Sequence, residues 1–208
     1  MRGRFITFEG GEGVGKSTQA RALHAALTAR GIDAEFTREP GGSEGAEAIR
    51  KLLLDGSEDK WDARAEALLF AAARADHVQR KILPALDAGR WVICDRFIDS
   101  SRAYQGGAGL IADENILMLH GFGSHGLMPD RTILLTIPAM VASERVARRD
   151  GMGTDRIGSR PDNYHAEVAV AFLTIAQADP ARMRVVDASG TIEEVGARVL
   201  ATLSDYLP

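Results

Sequence analysis

An α/β fold is predicted, with one five-stranded parallel sheet covered by helices on both faces, and three observations carry that reading. Five short apolar runs alternate with longer segments of helical periodicity. A glycine-rich stretch joins the first run to the first helical segment. The chain has 208 residues, 45% of them hydrophobic and 26% charged, which suits one globular domain spanning 1–208.

The strands are expected at residues 5–8, 34–37, 91–94, 131–137 and 183–186, each a run rich in branched or aromatic side chains. The first helix is expected over 16–30, where Ala20, Leu23, Ala26 and Leu27 recur at helical spacing and Gly31 ends it. Further helices are expected at 46–54, closed by Gly56, and at 62–88, bent by Pro84 and stopped by Gly89. Others follow at 113–120, 140–149 and 161–178. The last opens at Thr191, which with Glu194 forms a capping box. Strands alternating with helices imply parallel pairing through right-handed crossovers.

The formal net charge is −4 with both signs interspersed, which speaks against a surface that coats nucleic acid. Cys94 is the only cysteine, so no intrachain disulfide forms, and the apolar run around it suggests a buried small hydrophobe. The five histidines show no metal-ligand spacing. The N-terminal apolar run is too short for a signal peptide, and no stretch is long enough for a membrane span. A soluble cytoplasmic protein is expected, with neither nucleic acid nor membrane as partner.

Gly10-Gly11-Glu12-Gly13-Val14-Gly15-Lys16-Ser17 fits the pattern G-x-x-x-x-G-K-[ST], with Thr18 next. Glycines let successive backbone N–H groups turn inward around phosphate oxygens, and the helix that follows adds its N-terminal dipole. Lys16 supplies a cation for the β- and γ-phosphates, and the Ser17 hydroxyl can ligate Mg²⁺. The motif lies between a predicted strand and a predicted helix, as this chemistry requires, and points to a P-loop NTPase fold binding a nucleoside triphosphate.

Three more segments bear on a second substrate. Arg38, in Thr37-Arg38-Glu39-Pro40-Gly41-Gly42, and Asp95-Arg96-Phe97 both fall at carboxyl ends of strands, where ligands of such sheets bind. Phe70 and Arg74 are four residues apart, one helix face carrying an aromatic ring and a guanidinium. Two arginines suit an acceptor phosphate, and a ring beside an arginine suits a base. Each also has a plainer explanation: an Arg38–Glu39 surface pair, a core phenylalanine, an aspartate capping a turn.

Taken together, Phe8-Glu9-Gly10, Thr37 to Gly42, Asp95-Arg96-Phe97 and Ala103-Tyr104-Gln105-Gly106-Gly107 resemble the ordered signature of the thymidylate kinase family. The resemblance implies transfer of the γ-phosphoryl of ATP to dTMP, with Mg²⁺, in a homodimer. It implies that Lys16 and Ser17 hold ATP phosphates and the metal, and that Arg38 and Arg96 grip the dTMP phosphate. Asp95 would organise Mg²⁺ and the transferring group, with Glu12 near the dTMP 3′-hydroxyl. Phe70 would stack on thymine, Arg74 bond its edge, Ser100 and Gln105 line the base pocket, and Tyr104 crowd the sugar 2′ position.

The phosphate loop here carries no basic residue at 12–14, and the branch of the family with that feature supplies arginine from a mobile lid. Residues at about 148–160 resemble that lid, with Gly151 and Gly153 permitting closure and Arg149 and Arg156 the candidates for the transferring phosphoryl. Two departures from the family pattern stand out: Thr136 where a carboxylate is common, and Gly158 where an acidic residue is usual.

Overall fold

The computed structural model describes residues 2–149 and 155–207, the side chains of Glu58, Arg148 and Arg149 excepted. In chain order its elements are β1 (Phe5–Glu9), α1 (Lys16–Thr28), β2 (Ala34–Arg38), α2 (Glu44–Leu54), α3 (Ala63–His77), α4 (Leu83–Asp87), β3 (Trp91–Asp95) and α5 (Ile98–Ser101). Then come α6 (Asp113–Ser124), β4 (Arg131–Thr136), α7 (Ala139–Arg149), α8 (Asp162–Ala178), β5 (Met183–Asp187) and α9 (Ile192–Ala201). The five strands form one parallel sheet, as the alternating pattern predicted, and their order is β2-β3-β1-β4-β5.

Period-two alternation sorts the strand side chains between two cores. Ile6, Phe8, Ile93, Ile133 and Leu135 join Leu23 and Leu27 of α1 and Val195 and Val199 of α9 on one face. Phe5, Val92 and Cys94 pack on the other face against Ala67 of α3, Leu86 of α4 and Ile116 of α6. Cys94 is fully buried, as its apolar surroundings suggested. Register then fixes the ligand edge: Phe8 and Arg38 both pair with Asp95, so β1, β2 and β3 end level.

Several boundaries correct the sequence reading. The expected continuous helix over 62–88 is three segments, because α3 passes into a π-helical turn, Val78–Ile82, before α4. Pro84 has no N–H to give its preceding turn. Just upstream, the Leu83 N–H reaches five residues back to the Val78 carbonyl. The helix expected over 113–120 runs on to Ser124. Residues 98–107, for which no element was expected, hold α5 and a second π-helical segment, Arg102–Gly107. The capping box at Thr191 and Glu194 is present. Buried Asp99 anchors α5 to the sheet through Arg182, at 2.6 and 3.0 Å.

Candidate active site

A cleft of about 880 Å³ opens at the carboxyl ends of β1, β2 and β3. The phosphate loop leaves β1 and forms one wall. Gly10 has φ +135°, and a Cβ there would lie 2.4 Å from the Leu135 carbonyl oxygen, so only glycine fits. Lys16 lies in the first turn of α1, and its Nζ donates to the Gly11 carbonyl at 2.6 Å. Burial, reinforced by nearby Arg96, pulls Lys16 down to about 8. A desolvated ammonium beside a ring of backbone N–H groups is a site arranged for an incoming polyanion.

Asp95 ends β3 opposite the loop. The Ser17 hydroxyl donates to its Oδ2, while its Oδ1 is buried without a hydrogen-bond partner. A hydroxyl and a carboxylate with an open buried oxygen fit a hard divalent cation shared with phosphate oxygens. Among the described residues, no cluster of three or more His, Cys, Asp or Glu side chains could hold a metal alone.

Arg96 follows in the left-handed region at φ +70°, which aims its side chain back across the loop. Its Nη2 donates to Glu12 Oε1 at 2.5 Å and to the Tyr104 hydroxyl at 3.2 Å, and its Nη1 to Ser100 Oγ at 3.1 Å. Arg38 is half exposed and holds both oxygens of Glu47, at 3.2 and 3.1 Å. Such an exposed pair is weak and exchanges readily for a phosphate.

The far end of the cleft is built differently. Phe70 and Arg74 of α3 both line it, as their spacing predicted. Arg74 is buried, its Nε donating to Glu39 Oε2 at 2.7 Å and its Nη2 to Ser101 Oγ at 2.9 Å. Glu39 also meets His77 Nδ1 at 3.0 Å, and His77 Nε2 lies 2.7 Å from Thr37 Oγ1. Gly42 abuts this pair, since a Cβ there would fall 2.4 Å from His77 Nε2. Tyr104 and Gln105, on the second π-helical segment, line the same wall.

Similarity to known proteins agrees with this geometry. The thymidylate kinase family model matches residues 8–199. A thymidylate kinase of Rhizorhabdus wittichii is 60% identical over 208 residues, all of both chains. One from Nitrobacter winogradskyi is 48% identical, covering 99% of this chain and 90% of its own length. The crystal structure of thymidylate kinase from Ehrlichia chaffeensis superposes with a TM-score of 0.80 at 30% identity, covering 98% of this chain and all of that one. The chain belongs to the thymidylate kinase family.

Against the thymidylate kinase signature, Glu12, Lys16, Ser17, Thr18, Arg38, Phe70, Arg74, Asp95, Arg96, Ser100, Tyr104 and Gln105 all line one cleft, with Gly13, Val14 and Gly15. Gly10 and Gly11 turn carbonyls toward Arg96 and Lys16. Arg156 stands apart. Its guanidinium is buried, donating to the Leu53 carbonyl at 2.8 Å and to Glu66 Oε2 at 2.5 Å, so it ties its loop to α2 and α3. The Arg149 side chain and both lid glycines, Gly151 and Gly153, lie outside the described residues. Among the described residues, Arg145 of α7 also lines the cleft, its Nη2 donating to the Ala188 carbonyl at 3.3 Å.

Sequence reasoning passed over five residues. Glu9, Glu39 and Glu66 are buried carboxylates in or beneath the cleft, the first two at strand ends and the third on α3. Arg50 lines the cleft near Arg38 and donates to the Pro40 carbonyl at 2.6 Å. Ser101 meets Arg74, and the Ser100 hydroxyl beside it donates to Glu9 Oε2 at 2.6 Å.

Proposed function

We propose that this chain transfers the γ-phosphoryl of ATP directly to dTMP, giving ADP and dTDP. One observation carries the reading: a complete phosphate loop and a pocket of aromatic ring, buried arginine and amide share one cleft, with Asp95 and Arg96 between them. A triphosphate at one end and a nucleoside monophosphate at the other would meet at these two residues.

In this reading Lys16 and the loop amides hold the β- and γ-phosphates, while Arg96 and Arg38 hold the acceptor phosphate. A dTMP phosphate oxygen attacks the γ-phosphorus in line as the bond to the ADP oxygen breaks. The residues position the reactants and stabilise the charge on the transferring group. Ser17 and Asp95 would hold Mg²⁺, which would neutralise phosphate charge. Phe70 stacks on thymine, Arg74 and Gln105 bond its edge, and Tyr104 crowds the 2′ position. Arg145 lines the cleft beside the loop and joins Arg149 and Arg156 as a candidate cation for the transferring phosphoryl.

Two further expectations belong here. Leu68 of α3 and Met118 and Phe122 of α6 are exposed, Phe122 at 91%, and these helices pack together, so a homodimer through that face is proposed. Phe122→Glu would then shift the sedimentation coefficient to that of a monomer. Among the described residues no helix is long and apolar enough to cross a membrane. Action in the cytoplasm is proposed.

The test uses ATP labelled on its γ-phosphate. With dTMP present, label should appear as dTDP with none retained on protein. Label recovered only as inorganic phosphate, at a rate indifferent to dTMP, would place the chain among nucleotide switches or ATPases. Tyr104→Ala should admit ribonucleotide acceptors; unchanged sugar selectivity would remove its proposed role.

A further inference from the structure

Glu66 lies on α3, one turn before Phe70, and its side chain is buried behind the wall of the acceptor pocket. It has three partners from two segments. Its Oε1 accepts from Gln105 Nε2 at 2.9 Å, and its Oε2 accepts from Arg156 Nη2 at 2.5 Å and Arg160 Nη2 at 2.6 Å. Arg160 is itself fixed, its guanidinium 4.6 Å over the Tyr164 ring, and the Tyr164 hydroxyl donates to the Tyr104 carbonyl at 2.7 Å.

A carboxylate held between two guanidinium groups has only lone pairs to offer. The Gln105 amide must therefore present its NH₂ to Glu66. Its Oε1 has no hydrogen-bond partner among the described residues, and the residue lines the cleft. An amide free to flip could meet either a donor or an acceptor on a base; one pinned through its nitrogen offers the cleft an acceptor only.

We propose that Glu66 is a specificity-setting positioning residue: by pinning Gln105 it makes the pocket accept a base that carries a ring N–H and reject one with a lone pair there. Thymine and uracil have that N3–H; cytosine has a bare N3. The inference rests on the reading of this cleft as the acceptor-base pocket. The two arginines fix Glu66 in place, which joins base selection to the last residues of the proposed lid.

The experiment compares kcat/KM for dTMP and dCMP in the wild type, Glu66→Gln, Gln105→Ala and the double variant. An altered lid position changes both acceptors alike and cancels in the ratio, as does a loss of folded protein. In Glu66→Gln the amide of residue 105 loses its obligatory orientation, and the dTMP-to-dCMP ratio should fall about tenfold or more. Gln105→Ala should lower it similarly, and the double variant should fall no further, because both changes remove one device. If Glu66→Gln does not fold, Glu66→Asp keeps a charge for the arginines but withdraws it from Gln105, and should also lower the ratio. An undiminished ratio in whichever Glu66 variant folds, or independent effects in the double variant, overturns the inference. A wild type that shows no preference for dTMP over dCMP overturns instead the reading of the pocket on which it rests.

Discussion

Glu9 and Glu39 occupy matching places, at the carboxyl ends of β1 and β2 on either side of β3, and both are buried. Their environments push them in opposite directions. Burial, with Asp99 nearby, raises Glu9 to about 7, although Ser100 and the Phe97 N–H donate to it. Burial also works against ionised Glu39, but Arg74 and His77 outweigh it and hold that carboxyl below its usual range. The base end of the cleft thus carries its own counterions and its shape is set before substrate arrives. The phosphate end has a depressed lysine, an open Asp95 oxygen and a carboxyl without a dedicated cation. It is arranged for charges that come with the substrates.

The largest expected effect lies at the phosphate end. Lys16→Ala should lower phosphoryl transfer by about 10³-fold or more while the unfolding midpoint stays near that of the wild type. Normal turnover would remove the loop from the chemistry.

At the base end the cost should fall on the fold as well. Glu39→Ala leaves Arg74 buried without its partner and should lower stability by about 3–5 kcal/mol in denaturant titration, with KM for dTMP raised and KM for ATP little changed. A variant as stable as the wild type would mean that this end is not preorganised by ion pairing.

The two glutamates also separate by pH. Between about pH 4.5 and 7 the folded chain keeps a proton on Glu9 that the unfolded chain has released, so its contribution declines as pH rises through that window. Glu39 contributes fully above 4.5 and its share is lost as pH falls through its lowered folded value. Unfolding free energies measured from pH 4.5 to 7 should show a smaller decline with pH in Glu9→Gln than in the wild type. Equal slopes would contradict the assignment of that proton to Glu9.

The smallest effect sharpens the boundary between the ends. Arg50→Ala should raise KM for dTMP about three- to tenfold and leave KM for ATP unchanged, because Arg50 sits beside Arg38 on the acceptor side. A shift in the ATP value instead would move the boundary.

The same division governs what the sequence made legible. The phosphate loop is contiguous, its glycines and lysine set by local backbone geometry, so it reads directly. The central strands β1, β3 and β4 read because both faces of the sheet are covered there and they are buried along nearly their whole length. Phe70 and Arg74 read because one helix face carries both. Glu39, Glu66 and Ser101 did not, because each acts on a partner more than twenty residues away. The segment holding Tyr104 and Gln105 was missed as an element because a π-helical turn ending in two glycines has no apolar period to detect. The pairing of Arg156 with Glu66 was not legible either, because sequence gives a loop's charge but not its buried partner.

The most direct measurement is ADP formation from ATP and Mg²⁺ with each nucleoside monophosphate in turn. Strong stimulation by dTMP, weaker by dUMP and none by CMP or UMP is the predicted result. Slow ADP release indifferent to every acceptor would contradict the account, leaving the phosphate loop intact and the second half of the cleft without its proposed substrate.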